Sequence, residues 1–111
     1  DTPGTVAWYD GNSDARTHAV AQKPANDCGL YDVSGNVWEW AQDWYATDTY
    51  SATPVTDPVG SSTVYLRVRR GGSWYRDSER LRVAARGSNG PRVQDSDDGF
   101  RLARTILPPS E

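Results

Sequence analysis

The stretch Gly29-Leu30-Tyr31-Asp32-Val33-Ser34-Gly35-Asn36-Val37-Trp38-Glu39-Trp40 carries two signals at once. Ser34-Gly35-Asn36 is a turn between two apolar pieces. From Val37 to Tyr45 the chain then alternates, with Trp38, Trp40 and Trp44 on one face and Glu39 and Asp43 on the other. A period of two marks a strand with one buried face. The turn exposes backbone carbonyls, and Asp32 before it and Glu39 after it bring two carboxylates to the same neighbourhood. A hard cation such as Ca²⁺ takes about six to eight oxygens, mixing carboxylates with carbonyls and water. On spacing alone, an Asx-type turn with two solvated acids is the simpler account.

Outward from this stretch the same period recurs. Val64, Leu66 and Val68 alternate with Tyr65, Arg67 and Arg69, and Leu81, Val83 and Ala85 alternate with Arg80, Arg82, Ala84 and Arg86. Phe100 and Leu102 begin a fourth short alternation. Strands are therefore expected there, with Trp38, Trp40 and Phe100 buried. Long loops are expected over 46–63 and 87–99, and residues 1–29 read as loop. No helical period runs longer than a turn or two, and there is no internal repeat. The expected organisation is one domain over 1–107 with a frayed tail over 108–111.

Composition bounds the function. The 111 residues carry 12 basic and 15 acidic side chains, a net charge of −3, which argues against a nucleic-acid partner. No apolar run is long enough to span a membrane, and the N-terminus has no signal segment. Either the chain was never exported or a leader has been removed, which would favour an exported or cell-surface setting. Five Trp, six Tyr and one Phe, with no Met, mean a core of few, large, rigid side chains. A domain this short buries only about 65% of its unfolded surface. The lone Cys28 offers no internal disulfide, so a metal, a missing N-terminal segment or a partner chain is the natural staple.

The block 29–40, followed by Arg70-Gly71-Gly72-Ser73-Trp74 and then Gly99-Phe100-Arg101, resembles the formylglycine-generating enzyme (sulfatase-modifying factor) family. The resemblance covers roughly 8–104, the C-terminal part of a domain that is usually about twice as long. It implies an α+β, loop-rich, C-type-lectin-like fold with short antiparallel strands and little helix. It also implies structural Ca²⁺ held by the side chains of Asp32 and Glu39 and the carbonyls of Gly35 and Val37. The family often has Asn where this chain has Asp32, and either supplies an oxygen. A second family Ca²⁺ site lies upstream, and its counterpart within 9–14 does not align.

The family's enzymes use copper held by two cysteines just after the Arg-Gly-Gly-Ser block, because soft thiolates suit Cu(I). Here Trp74-Tyr75-Arg76-Asp77-Ser78-Glu79-Arg80-Leu81-Arg82 holds no Cys, so no copper and no catalytic residue are expected. Cys28 reads as a small buried packing residue, and His18, the single imidazole, as a loop hydrogen-bonding residue. The basic cluster Arg67, Arg69, Arg70, Arg80, Arg82, Arg86 and Arg101 reads as internal pairing with Asp77, Asp95, Asp97 and Asp98, with an anion site as the rival. Superfamily relatives include the variable proteins of diversity-generating retroelements, whose ligand surface lies between the second and third blocks. The corresponding window here is 74–98. It places Trp74, Tyr75, Arg76, Asn89, Arg92 and Gln94 as candidate ligand-binding residues, of which Tyr75, Arg76, Asn89, Arg92 and Gln94 are expected exposed on one face, while Trp74 reads as core with a ligand groove as the rival. The resulting expectation is a calcium-braced, non-catalytic recognition domain for a protein or small-molecule ligand. The alternatives are a fragment or subunit of an oxidase whose catalytic groups lie elsewhere, a retroelement variable protein, or a structural domain attached to a larger protein such as a kinase or lipoprotein.

Overall fold

The computed structural model describes residues 2–45, 65–106 and 108–109. The expected loop 46–63, Val64 of the second alternation and residues 110–111 of the tail lie outside them. A single helical turn, α1 (Pro3–Val6), opens the chain, with proline in its first turn, where no intrahelical donor is needed. The strands are β1 (Trp38–Trp44), β2 (Arg67–Arg70), β3 (Arg86–Asn89) and β4 (Asp98–Gly99), and a 3₁₀ turn spans Ser78–Leu81. Their spatial order is β3-β2-β1-β4. β1 and β2 run antiparallel, with Glu39 opposite Arg70 and Trp40 opposite Arg69, and the register slips before Trp44 meets Arg67. β2 and β3 are antiparallel, whereas β4 joins the far side of β1 in parallel, with Glu39 opposite Gly99. The sheet is therefore mixed rather than wholly antiparallel.

Three expectations about this sheet need correction. The alternation Leu81, Val83, Ala85 is not a strand. Leu81 and Ala85 are buried, but Val83 between them is 91% exposed, because the chain passes through a 3₁₀ turn and a further turn closed by Ala85 N–H to the Arg82 carbonyl. Five residues are too few to separate a strand from two consecutive turns with the same inward positions. The strand itself comes later: β3 starts at Arg86, the last residue of that alternation, and runs into the segment expected as loop. The alternation from Phe100 is also not a strand: Phe100 is 78% and Leu102 88% exposed, since pairing with β1 stops at Gly99. Trp40 is only half-buried, as is Trp44, so of the tryptophans on that face Trp38 alone, 2% exposed, is core.

The apolar core is small: Ala7, Trp38, Val68, Leu81 and Ala85. Beside it lies a buried polar set of Ser13, Asp32, Asn36, Arg69, Ser73 and Asp97. Buried polar groups cost free energy unless paired. Arg69 from β2 meets Asp98 at 2.5 Å, with Asp95 at 3.9 Å and Asp97 at 4.0 Å, and its guanidinium lies 5.0 Å from the Trp38 ring centre. The expected internal pairing with Asp95, Asp97 and Asp98 is thus found at Arg69. Asp77 is not part of it. Cys28 is exposed, not a packing residue, because the loop around it turns on Asn26, whose side chain accepts the Cys28 and Leu30 N–H groups.

Candidate metal site and recognition groove

The loop after Gly29 turns sharply because several residues adopt left-handed backbone. Asp32 has φ 54°, Gly35 82° and Asn36 69°. Asn and Asp tolerate this region through their short polar side chains. At Gly35 only glycine fits, since an added Cβ would stand 2.3 Å from the Trp8 carbonyl oxygen. The loop is pinned from outside. Gly35 N–H donates to the Gly71 carbonyl at 2.7 Å, and Asn36 N–H donates to the Trp8 carbonyl at 2.8 Å. The Asn36 side chain accepts from His18 N–H at 2.9 Å and donates to the His18 carbonyl at 3.0 Å. His18 stacks on Trp8, with centroids 3.7 Å apart, and its Nε2 lies 2.6 Å from the Ser13 carbonyl oxygen, so it is a loop-bracing residue.

Asp32, Gly35, Val37 and Glu39 line one cavity of about 370 Å³, together with Val20, Leu30, Tyr31, Phe100 and Arg101. The four residues carried over as a cation set are therefore brought together. Asp32 Oδ2 accepts the Ala21 N–H at 2.8 Å, while its buried Oδ1 has no partner. A buried carboxylate oxygen without a donor is costly, and a cation would satisfy it. Glu39 receives a two-pronged contact from Arg101, Nε to Oε2 at 3.0 Å and Nη2 to Oε1 at 2.8 Å. This hydrogen bond holds the Arg101 guanidinium above its ordinary pKa. Partial burial works against it, and the charges of Glu39 and Asp32 add to it. The donor set, all hard oxygen, suits Ca²⁺.

The expected ligand window divides. Trp74, Tyr75 and Arg76 form a ridge between two cavities of about 470 and 300 Å³. The first is closed by Asp10, Ser13 and Asp77, and the second by Asp95, Ser96 and Asp97. Tyr75 is 64% exposed and packs edge-on against Trp74 at 5.5 Å, with the Arg76 guanidinium 5.6 Å from its ring centre. Arg76 is half-buried, and it does not pair with Asp77, Asp95 or Asp97. Half-buried Asn89 donates to Asp95 at 2.9 Å, which ties it to the second cavity. Arg92 and Gln94 are exposed and line neither cavity.

Sequence reasoning missed the residues that support both places. By sequence Asn36 is only a turn former, yet its carbonyl accepts Trp74 N–H at 2.8 Å. Ser73, fully buried, donates to Asp97 at 2.8 Å, and Ser13 donates to the Trp74 carbonyl at 2.8 Å. The pairing of Arg101 with Glu39, 62 residues apart, has no local signal beyond the presence of Arg101 in the third block.

Residues 4–106 match the Sulfatase-modifying factor enzyme 1-like domain, and the chain belongs to that family. It is 47% identical to the formylglycine-generating enzyme of Streptomyces coelicolor over 90 residues, covering 78% of this chain and 29% of the enzyme. It is 45% identical to the serine/threonine-protein kinase pkn1 of Chlamydia pneumoniae over 94 residues, covering 83% of this chain but 15% of the kinase. Among solved structures, Treponema denticola variable protein 1 superposes with a TM-score of 0.81 at 41% identity, over 87% of this chain and 35% of that one. The fold is that of the formylglycine-generating enzymes, the C-type-lectin-like architecture. The chain spans about a third or less of each of these relatives. No helix among the described residues is long and apolar enough to cross a membrane.

Proposed function

We propose that this domain is a non-catalytic recognition module whose frame is braced by Ca²⁺. The observation that carries the reading is the ridge Trp74-Tyr75-Arg76. Tyr75 stands exposed between two cavities, with half-buried Trp74 and Arg76 on either side, on a backbone locked to the frame through Asn36, Ser13 and Ser73. The segment from Trp74 to Arg82, where the family's enzymes carry their thiols, holds none. Loops on a rigid scaffold are where binding residues concentrate, and an exposed aromatic beside an arginine is the composition of an interface anchor.

In this reading Asp32 and Glu39 hold the cation by their carboxylates, and Gly35 and Val37 by their carbonyls. The cation supplies charge compensation and a cross-link, not chemistry. The recognition residues are Trp74, Tyr75, Arg76 and Asn89, with Arg92 and Gln94 beside them. Two measurements test the reading together. Incubation with Cu(I), O₂ and a peptide bearing Cys-x-Pro-x-Arg should yield no aldehyde by mass spectrometry above a no-protein control. A library randomised at Tyr75, Arg76, Asn89, Arg92 and Gln94 should keep the melting temperature and yield selectable binders. Aldehyde formation, or a library that loses its fold, overturns the proposal.

The likeness to Treponema denticola variable protein 1 favours a more specific version, in which the window 74–98 is diversified by a retroelement. Sibling genes differing only in that window, with a near-copy template close by, would support it.

A further inference from the structure

We infer that Arg101 is a positioning residue for the cation site, a clamp that sets Glu39 and the Asp32 end of the loop in one arrangement. The inference rests on the cation reading proposed above. Asp32 and Glu39 lie at opposite ends of a loop that turns through three left-handed residues, so their separation is not set by local backbone preference. Arg101 bridges the two ends. Its Nε and Nη2 grip both Glu39 oxygens, and the same Nη2 donates to the Tyr31 carbonyl at 2.7 Å, one residue before Asp32.

The sheet delivers Arg101 to this place. β4 lies parallel to β1 with Gly99 opposite Glu39, and an added Cβ on Gly99 would stand 2.7 Å from Val37 Cγ2. The missing side chain lets the third block pass against Val37, so that Arg101 emerges beside Glu39. A guanidinium has the planar fork this contact needs, and lysine does not. Partners that hydrogen-bond a metal-binding carboxylate orient it, and losing them typically costs about 10–100-fold in metal affinity.

Electrostatics alone predicts the opposite sign. A bystander cation would repel Ca²⁺, and its removal would tighten binding. Arg101→Lys and Arg101→Gln separate the two, because the first keeps the charge and loses the fork. The readout is Tb³⁺ luminescence excited through the protein's aromatics and competed by Ca²⁺, with Asp32→Asn as the site control. Both Arg101 variants should weaken binding by about 10–100-fold. Wild-type binding with unchanged or tighter binding in the variants removes the clamp alone. Failure of the wild type to bind removes the cation reading and the clamp with it. If Arg101→Gln does not fold, the charge-preserving Arg101→Lys decides.

Discussion

The Trp74 N–H donates to the Asn36 carbonyl at 2.8 Å. One residue is the pivot of the candidate cation loop and the other begins the ridge that carries exposed Tyr75, so the two places share a backbone joint. Gly35, next to Asn36, adds a second contact by donating its N–H to the carbonyl of Gly71, three residues before Trp74. Two main-chain contacts therefore tie the loop to the segment that carries the ridge.

Calcium removal should destabilise the fold. A ligand that binds only the folded state at ~100 times its dissociation constant adds about 2.7 kcal/mol. For a domain of this size that is roughly 10–20 °C in melting temperature. Calorimetry with and without a strong chelator should show the drop, and Glu39→Gln should reproduce it in calcium buffer. An unchanged melting temperature counts against the cation.

Asn36→Ala should cost about 2–4 kcal/mol. It leaves His18 N–H and its carbonyl without their side-chain partners, and it places alanine at φ 69°. Asn36→Gly keeps the backbone freedom and should recover part of the loss. Denaturant midpoints at constant slope measure both. Equal stability of the two variants would mean that backbone strain contributes nothing.

Arg69→Met should cost about 3–5 kcal/mol, because it strands a buried carboxylate. The Asp98 side chain is 5% exposed and Arg69 9%. Arg69→Met with Asp98→Asn should recover part of that, since neutralising the partner removes the buried charge. A double-mutant cycle reads the coupling. Additive losses would show that the pair is not energetically joined.

Tyr75→Ala should leave stability within about 0.5 kcal/mol, as expected for a surface position. Trp38→Ala should cost about 3–5 kcal/mol, as expected for a core aromatic. Thermal or chemical denaturation of the two side by side tests whether the ridge is free of structural duty. A large loss at Tyr75 would make it part of the frame.

Much of this was legible in the chain. The alternation from Val37 located β1 and its buried Trp38, and three blocks in order gave the family and hence the fold. Asp32, Gly35, Val37 and Glu39, the residues the resemblance implies as cation ligands, line one cavity. The failures share a cause. Leu81-Val83-Ala85 and Phe100-Leu102 keep a period of two without being strands, because a short alternation states which residues point the same way and not what pairs with them. The lone Cys28 looked like packing because of its type, yet the surrounding turn carries it outward.

Sequence by itself determined the family, the turn at Ser34-Gly35-Asn36, the two carboxylates flanking it and the missing thiols after Ser73. Each is a matter of residue identity at short range, where local backbone preference and side-chain chemistry decide. Only the tertiary structure decided that Arg101 would grip Glu39, that Arg69 would gather three aspartates, and that Tyr75 would stand between two cavities. Those contacts join residues far apart in the chain. They exist because β4 settles beside β1 in parallel and the 71–74 turn packs under the 33–37 loop, and nothing in the local sequence specifies either docking.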